Sequence, residues 1–205
     1  MSRSIEPVVL ASGSPRRADL LRQIGIVFEI RLPAVAIDEA PFPGEIPTHY
    51  VLRLAEEKAA AVASLIGGEA SARVVLAADT TVVRDGRILG KPVDAADAIA
   101  MLLALQGRDH EVLTGVAVRR GGRGRAMLVR TRVRFRPIDR SEAEAYWQTG
   151  EGSDKAGGYG IQGIGAVFCE TLEGSYSNVV GLPLAETEHL LRDFGVDTWA
   201  MRRRG

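Results

Sequence analysis

An α/β protein with a mixed sheet is the fold class this sequence predicts, and three observations carry it. Short apolar runs alternate with amphipathic helical stretches along the 205 residues, without an internal repeat or a low-complexity linker. Hydrophobic residues make up 46% of the chain, enough for an extensive core. Glycine and proline fall where one periodicity gives way to the next. No shift in composition marks a domain boundary, so residues 1–205 read as a single domain.

Taken in order, Val8 to Ala11 reads as a strand. Ser12-Gly13-Ser14-Pro15 turns it into a helix from about Arg16 to Ile24, with Pro15 near the first turn and Gly25 past the last. A strand over 27–32 precedes an irregular stretch, 33–47, rich in proline and acid. The long helix predicted over 48–65 stops at Gly67-Gly68. Val74 to Thr80 is an apolar run ending abruptly in a carboxylate, which predicts a buried strand that stops at Asp79. A hairpin over 81–89 turns on Asp85-Gly86. The helix over 94–105 ends at Gly107, and two long strands, 111–119 and 126–135, join through Gly121-Gly122. Apolar and basic residues alternate from Leu128 to Phe135, so one face of that strand is wet. Ser141 with Glu144 predicts a capping box opening a helix to Gln148. A glycine-rich stretch, 150–165, leads to a strand and a last helix over 183–194.

Lys plus Arg and Asp plus Glu number 26 each. That balance favours neither a nucleic acid nor an anionic membrane as partner, so any polyanion bound is small and locally recognised. The chain has no spanning segment and no secretory pattern at its N-terminus, which makes a cytoplasmic location the expectation. One cysteine, Cys169, excludes an internal disulfide framework; its apolar surroundings predict a buried structural thiol. His49, His110 and His189 show no metal-ligand spacing.

Four constellations carry chemistry. Between strand and helix, Ser12-Gly13-Ser14-Pro15-Arg16-Arg17 offers close backbone approach, a helix N-terminus and two permanent cations, a combination suited to a triphosphate. An ordinary turn with solvated arginines is the plainer reading. Lys58 falls on the apolar stripe Val51, Leu54, Ala55, Val62 and Leu65, where a cation is out of pattern. It either snorkels beside Glu56 and Glu57 or reaches toward phosphate, and in neither case is it expected to stabilise the fold. Glu39 and Asp79 are candidate oxygen ligands for a hard divalent cation, which commonly takes one or two carboxylates plus substrate phosphates. Finally, Ser153 to Gly163 places glycine at 157, 158, 160 and 163, implying a tightly folded loop in which Tyr159 and Gln162 suit a base.

Leu10 to Arg17, Ala55 to Ala59, Ala77 to Thr80, Gly90-Lys91-Pro92, Thr114-Gly115, Ser153 to Gly163 and Tyr176 to Pro183, in that order, resemble the Maf family of nucleoside triphosphate pyrophosphatases. The form of Asp154 to Gly163 resembles the subfamily acting on dTTP and UTP. The resemblance implies an elongated mixed β-sheet flanked by helices, with two lobes and a central cleft (Maf/ITPase-like), often as a homodimer. It implies hydrolysis between the α and β phosphates, giving a nucleoside monophosphate and pyrophosphate with a divalent metal, Mg or Mn. By position, Asp79 is the general base, and Ser12, Arg17, Lys58 and Lys91 hold the phosphates. Glu39 assists Asp79 with the metal, and Arg16, Thr80 and Gln162 set base preference. The implied role is removal of unwanted or modified pyrimidine nucleotides, with a link to cell-division arrest. A rival from another class is a non-catalytic nucleotide sensor acting through a protein partner at septum formation. The tail, Met201 to Gly205, lies outside the family pattern and is expected to fray.

Overall fold

The computed structural model describes residues 6–68 and 71–203. In chain order these fold as β1 (Val8–Leu10), α1 (Pro15–Gln23), β2 (Phe28–Ile30), α2 (Pro47–Leu65), β3 (Val74–Arg84), β4 (Arg87–Leu89) and α3 (Ala95–Leu105). There follow β5 (Asp109–Arg120), β6 (Arg123–Phe135), α4 (Arg140–Gln148), β7 (Cys169–Glu173), α5 (Tyr176–Val180), α6 (Leu184–Asp193) and α7 (Thr198–Arg202). Among the described residues the strands form one seven-stranded sheet in the order β2-β1-β3-β5-β6-β7, with β4 pairing β3. Pairing of β1 with β2 and β3 is parallel, whereas β3–β4 and β6–β7 are antiparallel, so the sheet is mixed as expected.

Contacts divide the chain into two compact units: Met1–Asp79 with Thr114–Val129 and Gly181–Gly205, and Thr80–Leu113 with Arg130–Val180. In the first unit, α2 covers the strands with small side chains. Ala55, Ala59 and Val62 pack with Val9, Ala11, Val75, Ala77 and Ala117, and all are buried. Small residues on both sides bring backbone close to backbone. At Gly115 a Cβ would stand 2.3 Å from the Val51 carbonyl oxygen, a contact only glycine permits. The second unit packs aromatically instead. Phe135 lies 4.7 Å from Tyr159 and 4.8 Å from His110, edge to face, with Tyr146, Phe168, Leu102 and Leu105 closing the cluster.

Several expectations are corrected by this arrangement. The strand carrying Asp79 does not stop there: β3 continues to Arg84, which leaves Asp79 in mid-strand. Thr80, Thr81, Val82 and Val83 are β-branched and favour the extended chain, and Val82 and Val83 pair with Leu89 and Ile88. The Asp85-Gly86 turn is as predicted, both residues having positive φ. Helix α4 is capped by Asp139 rather than Ser141; the Asp139 carboxylate accepts the Glu142 N–H at 2.9 Å, and the Ser141 hydroxyl donates to that carboxylate at 2.6 Å. Two five-residue helices, α5 and α7, are too short to leave a readable periodicity. Far from fraying, α7 buries Met201, while Arg202 donates to the Ile24 carbonyl at 2.6 Å and pairs with Glu188 at 2.5 Å. Arg204 and Gly205 lie outside the described residues.

Candidate functional site

The sequence-predicted site residues fall in both units. Ser12, Arg16, Arg17, Glu39, Lys58 and Asp79 belong to the first; Thr80, Lys91 and Gln162 belong to the second.

In the first unit, β1 delivers the chain into the turn before α1. The buried Ser12 hydroxyl accepts from the Ser14 N–H at 3.3 Å and from the Arg17 guanidinium at 3.0 Å. Arg17 also donates to the Gly181 carbonyl at 2.8 Å. The guanidinium is thus fixed one turn into the helix, beside its N-terminus, where backbone donors and dipole already favour an anion. Burial lowers the Arg17 pKa, Asp79 opposes that, and Arg16 adds to it. An arginine so placed stays charged, because its starting value lies far above neutrality.

Lys58 is the centre of the acidic cluster. Its ammonium donates to the Asp79 carboxylate at 2.7 Å and to the Glu39 carboxylate at 2.5 Å. Helix α2 aims Lys58 at β3, so the lysine is neither snorkelling toward Glu56 and Glu57 nor out of place on its stripe. Asp79 is buried, and burial pushes its pKa upward; Lys58 and Arg17 pull it back, and Glu39 adds to the rise. Burial prevails, because one ammonium is shared between two acids. Glu39 itself is exposed, on a loop tied down by two residues the sequence reading missed. Tyr50 donates its hydroxyl to the Glu39 carbonyl at 2.9 Å. Arg53 grips the Glu45 carboxylate through two nitrogens at 2.7 Å, donates to the Ala40 carbonyl at 3.2 Å and stacks 4.0 Å from the Phe42 ring centroid. That grip holds the Glu45 carboxyl down to about 2. A signal was present: Tyr50 and Lys58 are two turns apart on one helix, with Arg53 between them facing the acidic loop.

In the second unit, Thr80 follows Asp79 on β3 and is half-buried, Lys91 is exposed after β4, and Gln162 is exposed in the glycine-rich loop. That loop is packed as its composition predicts: the Gly157 N–H donates to the Gly90 carbonyl at 3.0 Å, and a Cβ at Gly157 would stand 2.9 Å from a Val82 methyl. Cys169 is half-buried at the start of β7 rather than fully enclosed.

Among the described residues no group of three or more His, Cys, Asp or Glu is arranged to hold a metal. Two hard oxygen donors nevertheless converge on one ammonium, a donor set that fits a cation whose remaining ligands are substrate phosphates and water. No helix among the described residues is long and apolar enough to cross a membrane.

A cation-lined strand-to-helix turn beside an acid pair bridged by lysine is chemistry for a small polyanion. The chain belongs to the Maf family: the model of the Maf-like proteins matches residues 7–194. It is 50% identical over 191 residues to a dTTP/UTP pyrophosphatase of Vibrio cholerae serotype O1, covering 93% of this chain and 100% of that one. Against a dTTP/UTP pyrophosphatase of Anaeromyxobacter sp. strain Fw109-5, identity is 55% over 193 residues, covering 92% and 89%.

Proposed function

We propose that this protein is a nucleoside triphosphate pyrophosphatase that hydrolyses dTTP and UTP to the nucleoside monophosphate and pyrophosphate. The observation that carries the reading is the Lys58 ammonium held between the Asp79 and Glu39 carboxylates. Such a cluster sets a base, a cation and a pair of metal donors in one place. Choice of pyrimidine nucleotides is supported by the names of the relatives and by the form of Ser153 to Gly163. The reading treats 1–205 as one domain, which a family match running from 7 to 194 supports.

In this mechanism Asp79 accepts a proton from the attacking water, whose oxygen forms the new bond to the α-phosphorus. The bond from that phosphorus to the α,β-bridging oxygen breaks, and pyrophosphate leaves with the electron pair. Arg17 and Ser12 hold phosphate oxygens at the α1 turn, and Lys58 and Lys91 offset charge that grows on the leaving group. Burial of Asp79 raises its basicity, which favours its accepting the proton. Glu39 and Asp79 would hold the divalent cation, which when bound neutralises phosphate charge and makes water more acidic. Arg16, Thr80 and Gln162 set the preference for base.

Pyrophosphate release from dTTP and UTP by the purified protein, with magnesium or manganese, tests the reading. Stoichiometric monophosphate and pyrophosphate are expected. Tight nucleotide binding without turnover under every metal condition would make the chain a nucleotide sensor instead.

A further inference from the structure

The loop that carries Gln162 is built around one carboxylate, Glu151, that takes no part in the proposed chemistry. Glu151 accepts the Tyr146 hydroxyl at 2.9 Å, the Ile164 N–H at 2.7 Å and the Gly165 N–H at 2.9 Å. The Tyr146 oxygen in turn accepts the Gly160 N–H at 3.0 Å. Backbone is therefore pinned on both sides of Gln162: at residue 160 through Tyr146, and at 164 and 165 directly. Lys155 adds a further tie, from its ammonium to the Glu151 carbonyl.

Gly163 answers to the same carboxylate, and Gly165 to the groups that partner it. A Cβ at Gly163 would stand 2.2 Å from a Glu151 carboxylate oxygen, and one at Gly165 would stand 2.8 Å from the Gly160 carbonyl and 2.9 Å from the Tyr146 hydroxyl. Such contacts lie inside van der Waals distance, so the segment folds this closely on Glu151 and Tyr146 only because residues 163 and 165 carry no side chain. Burial pushes the Glu151 carboxyl up, but the Gly165 and Ile164 N–H groups and the Tyr146 hydroxyl together hold it below its ordinary value. The ionised acceptor is thus the form the loop is folded around.

We propose that Glu151 is a positioning residue for base selection: it sets the backbone on either side of Gln162 and so aims that amide. The inference rests on the reading that Gln162 sets base preference. A flexible Gln162 would pay its ordering entropy on every binding event, whereas a pre-set loop does not.

The test is a double-mutant cycle in kcat/KM for dTTP and, as the purine comparator, dGTP, on the full-length protein with magnesium. Glu151→Gln keeps the shape but places an N–H donor against donors. It is expected to reduce the dTTP to dGTP preference about three- to tenfold, the worth of a lost hydrogen bond, through KM for dTTP rather than kcat. Gln162→Ala is expected to reduce the preference at least as far, and the double variant no further than Gln162→Ala alone. If Gln162→Ala shifts the preference and Glu151→Gln does not, or if the two effects add, the positioning role is overturned while the Gln162 reading stands. If Gln162→Ala itself leaves the preference unchanged, the base-selection reading falls and takes this inference with it. Should Glu151→Gln not fold, Tyr146→Phe removes the hydroxyl link to Gly160 while keeping the ring in the core, and an unchanged preference in that variant also overturns the proposal.

Discussion

Lys58 Nζ stands 2.7 Å from the Asp79 carboxylate, and neither side chain keeps more than 15% of its surface. This pair argues against the expectation that Lys58 adds nothing to folding. Removing one member of a buried pair leaves the other charged and poorly solvated. Lys58→Met is expected to cost roughly 2–4 kcal/mol at pH 7, below the full buried-pair range because both partners keep some exposure. The sign of its pH dependence follows from Asp79, whose folded pKa is raised from 3.8. Stability tied to such a group is present below the unfolded value and lost as pH rises through the folded one. Lys58 pulls the Asp79 pKa down, so Lys58→Met raises it further and loses more stability than wild type as pH rises. The gap in melting temperature should therefore widen from pH 4 to pH 8, and Lys58→Met/Asp79→Asn should close it. A gap independent of pH would separate the loss from the ion pair.

The same upward shift bears on catalysis. The acid limb of kcat/KM is expected above 3.8, because the base must be ionised and burial opposes that. Chelation of divalent metal should abolish turnover, and raising magnesium should move the limb to lower pH. A pH–rate profile at two magnesium concentrations checks both, and a limb indifferent to magnesium would remove Asp79 from the metal.

The second unit has its own titration. His110 is buried with its Nε2 2.8 Å from the Tyr159 hydroxyl, and burial, helped by Arg84, lowers its pKa from 6.5 to about 4. A depressed folded value means stability that is present above pH 6.5 and lost as pH falls through about 4. Wild type should lose on the order of 3 kcal/mol from this group between pH 7 and pH 4, and His110→Gln should lose correspondingly less on acidification. Urea unfolding at the two pH values measures the difference; parallel losses would mean that His110 is not buried neutral.

Gly115→Ala tests the approach of β5 to α2. Its Cβ would meet the Val51 carbonyl at 2.3 Å, a backbone atom that has no rotamer to change. A loss of about 3 kcal/mol is expected, the upper end of ordinary over-packing, and would be read from the urea midpoint at constant slope. A neutral substitution would contradict the packing.

Much of this arrangement was legible in the sequence, and the gaps have physical causes. Alternation in β6, the Asp85-Gly86 turn and the glycine stop after α3 are local signals, and each appears where expected. The end of β3 is not legible because an acid after an apolar run looks like a terminus, while the four β-branched residues behind it keep the strand extended to Arg84. Lys58 reads as out of pattern on its stripe, but its two partners lie 19 and 21 residues away, a separation that no helical period reports. Tyr50, Arg53 and Glu151 were missed for a related reason. Each acts through backbone groups of a loop; helical spacing sets Tyr50 and Arg53 beside Lys58 but does not name the loop groups they hold, and Glu151 has no such spacing.

Asp79→Asn tests the central claim most directly, measured as kcat/KM for dTTP at saturating magnesium alongside a melting curve. The amide keeps the shape and loses the charge. The account predicts a loss of at least about a thousandfold in rate, with the fold retained and nucleotide binding largely preserved. Near-full rate in a folded Asp79→Asn protein would contradict it, and the water would then have to be activated by some group other than Asp79.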